Sequence, residues 1–182
     1  MKNHLYVDNS NYWIEGMRVS AVKRGMAPNL NAASEQRILD HSYRVDFGKL
    51  LQFAGGGPEE IGTAKLYGSR PPENDELWEM ARRHGFEVVV HDRGYDGTEK
   101  KVDTQMSADM IEDLYTVIGH QGDEVTLVSG DADHIPAVEK ILRAGVDVHV
   151  VGWQHCTSHE LIDVASSFTD LTPKVDYFRF AG

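Results

Sequence analysis

Residues 125–133 read Val-Thr-Leu-Val-Ser-Gly-Asp-Ala-Asp, an apolar run that passes directly into a turn containing two carboxylates. The β-prone residues followed by Ser-Gly-Asp predict a buried strand and its end. Residues 135–144 follow with helical spacing, Gly145 stops this helix, and residues 146–151 are apolar again. A strand, a helix and a second strand in this order indicate neighbouring parallel strands.

The same alternation extends towards both ends of the chain. Further strands are predicted at residues 4–7, 63–67 and 86–90, and further helices at residues 72–84, 103–118 and 158–164. Alternating strands and helices favour a three-layer α/β/α architecture with a mainly parallel central sheet. We expect residues 1–182 to form one domain, with an elaborated, less regular segment at about residues 19–57.

Composition restricts the function classes. No apolar run reaches the ~18 residues of a membrane helix, and no signal peptide is visible, so a cytoplasmic location without membrane contact is expected. The single Cys156 excludes an intrachain disulfide. The 18 basic and 29 acidic residues give a net charge of −11, which argues against broad coating of DNA. This excess fits a metal-dependent enzyme, and equally a solvated acidic surface.

Aspartates stand where the predicted strands end. Asp8 follows the first strand, Asp131 and Asp133 follow the strand at 125–128, and Asp103 opens a predicted helix. Because parallel strands bring their carboxyl ends to one edge, these four side chains are expected to meet there. Such carboxylates repel one another unless a cation is present, and Mg²⁺ or Mn²⁺ prefers oxygen ligands. The sequence therefore predicts a Mg²⁺ or Mn²⁺ site, although each aspartate alone also fits a turn or a helix cap.

Asp109 is a further metal-ligand candidate. It lies six residues after Asp103, about 240° around an ideal helix, so both side chains reach one point only if Asp103 precedes the helix proper. A ligand and a solvated side chain are both open interpretations. His134, near a strand end, is expected to have a structural polar role, with proton donation as the alternative.

Three acidic segments resemble motifs of the NYN domain family, whose bacterial members are called LabA-like and which belongs to the PIN-like nuclease superfamily. Residues 5–11 resemble its opening strand, residues 100–103 with Asp109 its second acidic motif, and residues 128–133 its third. The resemblance extends from about Leu5 to Asp170. It implies a PIN-like fold and an Mg²⁺- or Mn²⁺-dependent ribonuclease, specifically an endoribonuclease. By position it nominates the same four aspartates, with Asn11 supporting the first.

RNA is the partner that this resemblance implies, and its hydrolysis would use a metal-activated water. An acidic protein must offer a polyanion local positive charge, and Lys100 and Lys101, just before Asp103, are the best candidates. Asn11 and Ser129 complete the predicted substrate contacts. The segment at residues 19–57 has no counterpart among the family's catalytic parts and could shape the substrate groove or a homodimer surface.

Two alternatives stand beside the nuclease prediction. The first is a catalytically silent NYN-type module that binds RNA or protein in regulation. The second is a haloacid-dehalogenase-like phosphatase, because Asp131 and Asp133 follow an apolar strand. Phosphatases of that class carry the aspartate pair on their first strand, so the late position here disfavours this alternative.

Overall fold

A sheet of six strands forms the centre of the computed structural model, which describes residues 1–70, 75–92, 98–119 and 121–182. The strands are β1 (Asn3–Asp8), β2 (Ile61–Arg70), β3 (Glu87–Asp92), β4 (Glu124–Val128), β5 (Asp147–Gly152) and β6 (Ser167–Asp170). Their order across the sheet is β3-β2-β1-β4-β5-β6, and every described pair is parallel.

Helices connect the strands, as parallel pairing requires. They are α1 (Asn9–Lys23), α2 (Leu30–Glu35), α3 (Phe47–Gly55), α4 (Glu76–Arg83), α5 (Thr98–Thr116), α6 (Ile135–Arg143) and α7 (His159–Val164). Short 3₁₀ turns occur at Ala132–His134, Gln154–Cys156 and Thr172–Lys174. Among the described residues, no helix combines the length and apolar character that a membrane crossing requires.

β1 lies in the middle of the sheet, where the direction of strand progression reverses. Val7 is in register with Leu66 of β2 on one side and with Val128 of β4 on the other. From β1 the chain builds β2 and β3 on one side, then returns to place β4, β5 and β6 on the other. In open parallel sheets, ligands bind beyond the carboxyl ends of the strands at such a reversal.

The two faces of the sheet carry separate cores because successive strand side chains point to opposite faces. Leu5 and Val7 pack into the first core, and Tyr6 packs into the second. The first core includes side chains of α1, α3 and α4, namely Tyr12, Met17, Phe47, Leu50, Trp78 and Ala81. The second core includes side chains of α5, α6 and α7, namely Met106, Met110, Leu114, Val138, Ile141 and Leu161.

The predicted α/β architecture with a parallel central sheet is confirmed, and the sheet is parallel throughout its described pairs. The elaborated segment folds onto the sheet through α3, whose Phe47 and Leu50 are fully buried.

The predicted start of a helix at Asp103 is wrong, because α5 begins at Thr98. The edge strand β6 was not predicted from the sequence. Its residues alternate between exposed and half-buried, and only pairing with β5 makes them a strand.

Candidate metal centre

A cleft of about 200 Å³ opens at the carboxyl edge of the sheet, beside the ends of β1, β2 and β4. It lies at the reversal of strand order, where a binding site is expected. Its lining residues are Asp8, Ser10, Asn11, Ile14, Glu15, Ser69, Val102, Asp103 and Asp131.

Asp8 ends β1 and caps α1. Its Oδ1 accepts a hydrogen bond from the Asn11 backbone N–H at 3.2 Å, which satisfies one of the unpaired donors at the start of the helix. Its Oδ2 accepts a hydrogen bond from Ser129 Oγ at 3.3 Å. Asp8 is only 6% exposed. The strand-to-helix junction therefore holds this carboxylate in a fixed position at the inner end of the cleft.

The loop after β4 is tied to the same junction. The backbone N–H of Gly130 donates to Asn11 Oδ1 at 3.3 Å, and that of Asp131 donates to Ser129 Oγ at 3.2 Å. Asp131 Oδ1 in turn accepts a hydrogen bond from the Asp133 backbone N–H at 2.9 Å. These bonds set the positions of Asp131 and Asp133 relative to β1.

Two groups of side chains in this region could each hold a metal ion, and both include Asp103 of α5. One consists of Asp8, Asp103 and His134, and the other of Asp103, Asp131 and Asp133. Within each group the donor atoms lie within 4.8 Å of one another. Donors bound to one octahedral ion at about 2.1 Å are about 3–4.2 Å apart, so small side-chain rotations would suffice.

His134 is completely buried at the end of the 3₁₀ turn Ala132–His134. Its Nδ1 lies 2.9 Å from Ser107 Oγ, and its Nε2 has no hydrogen-bond partner in the described part of the chain. Burial lowers the pKa of His134, although the charges of Asp131 and Asp133 act to raise it. A neutral imidazole nitrogen beside carboxylates is a donor set that fits a divalent metal.

Asp109 lies apart from these groups. Its Oδ2 accepts a hydrogen bond from Tyr67 Oη at 2.7 Å, and its Oδ1 accepts one from Gln105 Nε2 at 2.6 Å. Since Asp103 lies in the second turn of α5 and not before the helix, the six-residue spacing directs Asp109 towards β2. Among the described residues, Asp109 belongs to none of the groups that could hold a metal ion.

The predicted substrate contacts lie in different environments. Asn11 lines the cleft. Ser129 is 1% exposed, and its hydroxyl is bonded to Asp8 and to the Asp131 backbone. Lys101 is exposed on α5, whereas the side chain of Lys100 lies outside the described residues.

Ser69 and Glu15 also line the cleft and were not predicted as site residues. Ser69 lies near the end of β2, which continues past the predicted end at residue 67. Glu15 lies four residues after Asn11 and so shares its helix face, a signal that becomes readable only once α1 is recognised as a helix.

Glu15 forms a third group with His155 and Cys156. Burial raises the pKa of Glu15, but hydrogen bonds from His155 and Arg18 lower it by more, so the carboxyl is ionised and already paired. Burial raises the pKa of the Cys156 thiol to about 12. A protonated thiol and a paired carboxylate make this group a poor metal site.

These observations define an all-parallel α/β protein with clustered carboxylates at the reversal of its strand order. The sequence matches the NYN domain family over residues 27–172, and the chain belongs to that family. The family is PIN-like and generally nuclease-like, as predicted. The matched residues include Asp103, Asp131 and Asp133, while Asp8 and Asn11 precede them. The LabA-like subgroup stays a prediction.

A solved structure supports the fold. The chain is similar to a Vibrio parahaemolyticus protein of unknown function, with 24% sequence identity and a TM-score of 0.62. The similarity covers 93% of this chain and 92% of that protein. At this identity the likeness shows the shared fold alone. Comparison with curated proteins found no match.

Proposed function

We propose that this NYN domain is an endoribonuclease that hydrolyses RNA phosphodiester bonds with Mg²⁺ or Mn²⁺ held by Asp8, Asp103, Asp131 and Asp133. One observation carries the proposal: Asp8 of β1, Asp103 of α5 and Asp131 of the loop after β4 line one cleft. A carboxylate oxygen of the exposed Asp133 lies within 4.8 Å of those of Asp103 and Asp131. The nuclease-like character of the family supports the same reaction class.

The charge of the cleft supports a dication. Its described lining carries three aspartates and a glutamate but no lysine or arginine. Asp8 is nearly buried and accepts hydrogen bonds from the Asn11 backbone and from Ser129. Clustered carboxylates of this kind are stabilised by a hard cation that prefers oxygen ligands.

A divalent ion bound there would lower the pKa of a water and offset negative charge on the departing oxygen. The chain's own residues position the acids. Ser129 holds both Asp8 and the backbone of Asp131, and Asn11 ties the start of α1 to the loop after β4. Exposed Lys101 on α5 is the proposed contact for an RNA phosphate, with Lys100 beside it in sequence.

The test is incubation of the purified protein with total cellular RNA in Mg²⁺, in Mn²⁺ and in EDTA, followed by sequencing of fragment ends. We expect metal-dependent internal cleavage. Asp8→Asn and Asp131→Asn should each lower the cleavage rate at least about a hundredfold, which corresponds to about 2.7 kcal/mol of transition-state stabilisation. Asp147→Asn is the matched control, because Asp147 is an exposed aspartate at the opposite edge of the sheet.

Two results would contradict the proposal. Full activity of both the Asp8→Asn and Asp131→Asn variants would show that cleavage does not require these carboxylates. Wild-type protein that binds RNA but leaves it intact with both metals would instead identify an RNA-binding module that does not cut.

A further inference from the structure

One buried nitrogen near the carboxylates is not used by the protein itself. His134 is 0% exposed, and within the part of the chain that the structure describes its Nε2 has no hydrogen-bond partner. Burial removes a polar atom from water, so a protein normally supplies it with a partner. An unmatched buried nitrogen is therefore able to bind a ligand without giving up a hydrogen bond within the protein.

The other ring nitrogen fixes the orientation of the imidazole. Nδ1 of His134 lies 2.9 Å from Ser107 Oγ of α5. Histidines that bind metals are usually held in this way, through a hydrogen bond at the nitrogen that does not bind the ion. Because Nδ1 is engaged, Nε2 is the nitrogen that remains available for coordination.

Carboxylates lie close to the imidazole of His134. A ring nitrogen of His134 and one carboxylate oxygen each of Asp8 and Asp103 lie within 4.8 Å of one another. The backbone at His134 is constrained as well, because the residue joins a 3₁₀ turn to α6, and Pro136 occupies the first turn of that helix. The imidazole therefore belongs to a rigid part of the fold.

From this geometry we propose that His134 Nε2 is a metal ligand, which gives the centre one site with mixed nitrogen and oxygen donors beside one with oxygen donors only. The mixed site consists of Asp8, Asp103 and His134, the oxygen site consists of Asp103, Asp131 and Asp133, and Asp103 is common to both. This inference rests on the proposed metal-dependent function and adds a ligand and a metal preference to it.

The donor types determine which ion each site prefers. Imidazole nitrogen suits Mn²⁺ and later transition metals better than Mg²⁺, whereas carboxylates alone suit Mg²⁺ and Mn²⁺. The mixed site should therefore bind Mn²⁺ more tightly than Mg²⁺. Loss of His134 should weaken Mn²⁺ binding at least about tenfold and should change Mg²⁺ binding less.

The experiment is electron spin-echo envelope modulation spectroscopy of the full chain loaded with Mn²⁺, which detects nitrogen bound directly to the ion. Wild-type protein should show ¹⁴N modulation typical of a coordinated imidazole, and selective ¹⁵N-histidine labelling should change it to the ¹⁵N pattern. His134→Gln should lose the modulation. His155→Gln should keep it, which makes it the matched control for the other histidine near the cleft.

The outcomes separate this inference from the proposed function. Bound Mn²⁺ without nitrogen modulation in the wild type, or modulation that persists in folded His134→Gln, would overturn the role of His134 and leave the carboxylate centre standing. Failure of the wild type to bind Mn²⁺ or Mg²⁺ would instead contradict the proposed function. If His134→Gln does not fold, the isotope-labelled wild type with the His155→Gln control decides the question.

Discussion

Replacement of Lys65 by methionine should destabilise the protein by about 3 kcal/mol, because it breaks a buried ion pair that attaches α5 to the sheet. Lys65 Nζ donates to Asp113 Oδ2 at 2.7 Å, and Tyr6 Oη donates to the same oxygen at 2.7 Å. The Lys65 side chain is 13% exposed and that of Asp113 is 8% exposed. Without the ammonium group, Asp113 keeps one hydrogen bond but becomes an uncompensated charge with little access to water.

The magnitude follows from this burial. Removal of one partner of a buried pair costs about 3–5 kcal/mol, and the remaining bond from Tyr6 places this case at the lower end. For a chain of this length, about 3 kcal/mol corresponds to a decrease in Tm of roughly 6–12 °C. Lys23 and Asp176 form a matched exposed pair, with side chains 53% and 54% exposed. Lys23→Met should therefore cost less than about 1 kcal/mol.

Urea unfolding at neutral pH, monitored by circular dichroism, measures these differences in the free energy of unfolding. Adding Asp113→Asn to Lys65→Met should recover part of the loss, because the amide carries no charge and still offers Tyr6 an acceptor oxygen. The reasoning is refuted if Lys23→Met and Lys65→Met cost the same. It is refuted equally if the double variant is less stable than Lys65→Met alone.

Three further predictions concern the loop after β4, acid stability and the first core. Gly130→Ala should cost about 1–3 kcal/mol and weaken Mn²⁺ binding in calorimetry, because the added Cβ would lie 2.6 Å from the Cys156 carbonyl oxygen; unchanged stability and affinity would contradict this. Burial raises the pKa of Asp40, but hydrogen bonds from two serines and an arginine lower it by more, so its folded pKa lies below the unfolded value of about 3.9. Ionised Asp40 therefore contributes its full stabilisation above the unfolded pKa and loses it as the pH falls towards the folded pKa. The midpoint of urea unfolding should consequently fall more between pH 5 and pH 3 for the wild type than for Asp40→Asn. Trp153→Phe should cost about 1–3 kcal/mol in urea unfolding, because the indole N–H donates to the buried Tyr12 carbonyl at 2.9 Å, and a loss below about 0.5 kcal/mol would show that this bond contributes little.

The central strands were predictable because they are buried on both faces. β1 and β4 each contain a buried run of mostly apolar residues, and the predicted runs fall within their observed bounds. α1 was harder to recognise, since its buried positions include Asn9, Gly16 and Ser20. Burial there does not follow hydrophobicity, so the helix has no clear apolar periodicity. The burial of Ser20 is possible because its Oγ donates a hydrogen bond to Asp40 Oδ2 at 2.6 Å.

Sequence alone determined the parallel α/β architecture, the family resemblance and the set of aspartates at strand ends, because each follows from local runs of residue types. Only the tertiary structure decided which side chains share a site. It placed Asp103 within α5 and Asp109 against Tyr67, and it brought His134 towards Asp8 across more than a hundred residues of chain. Those distances depend on helix register and strand order, which are set by packing between distant segments and leave no local trace in the sequence.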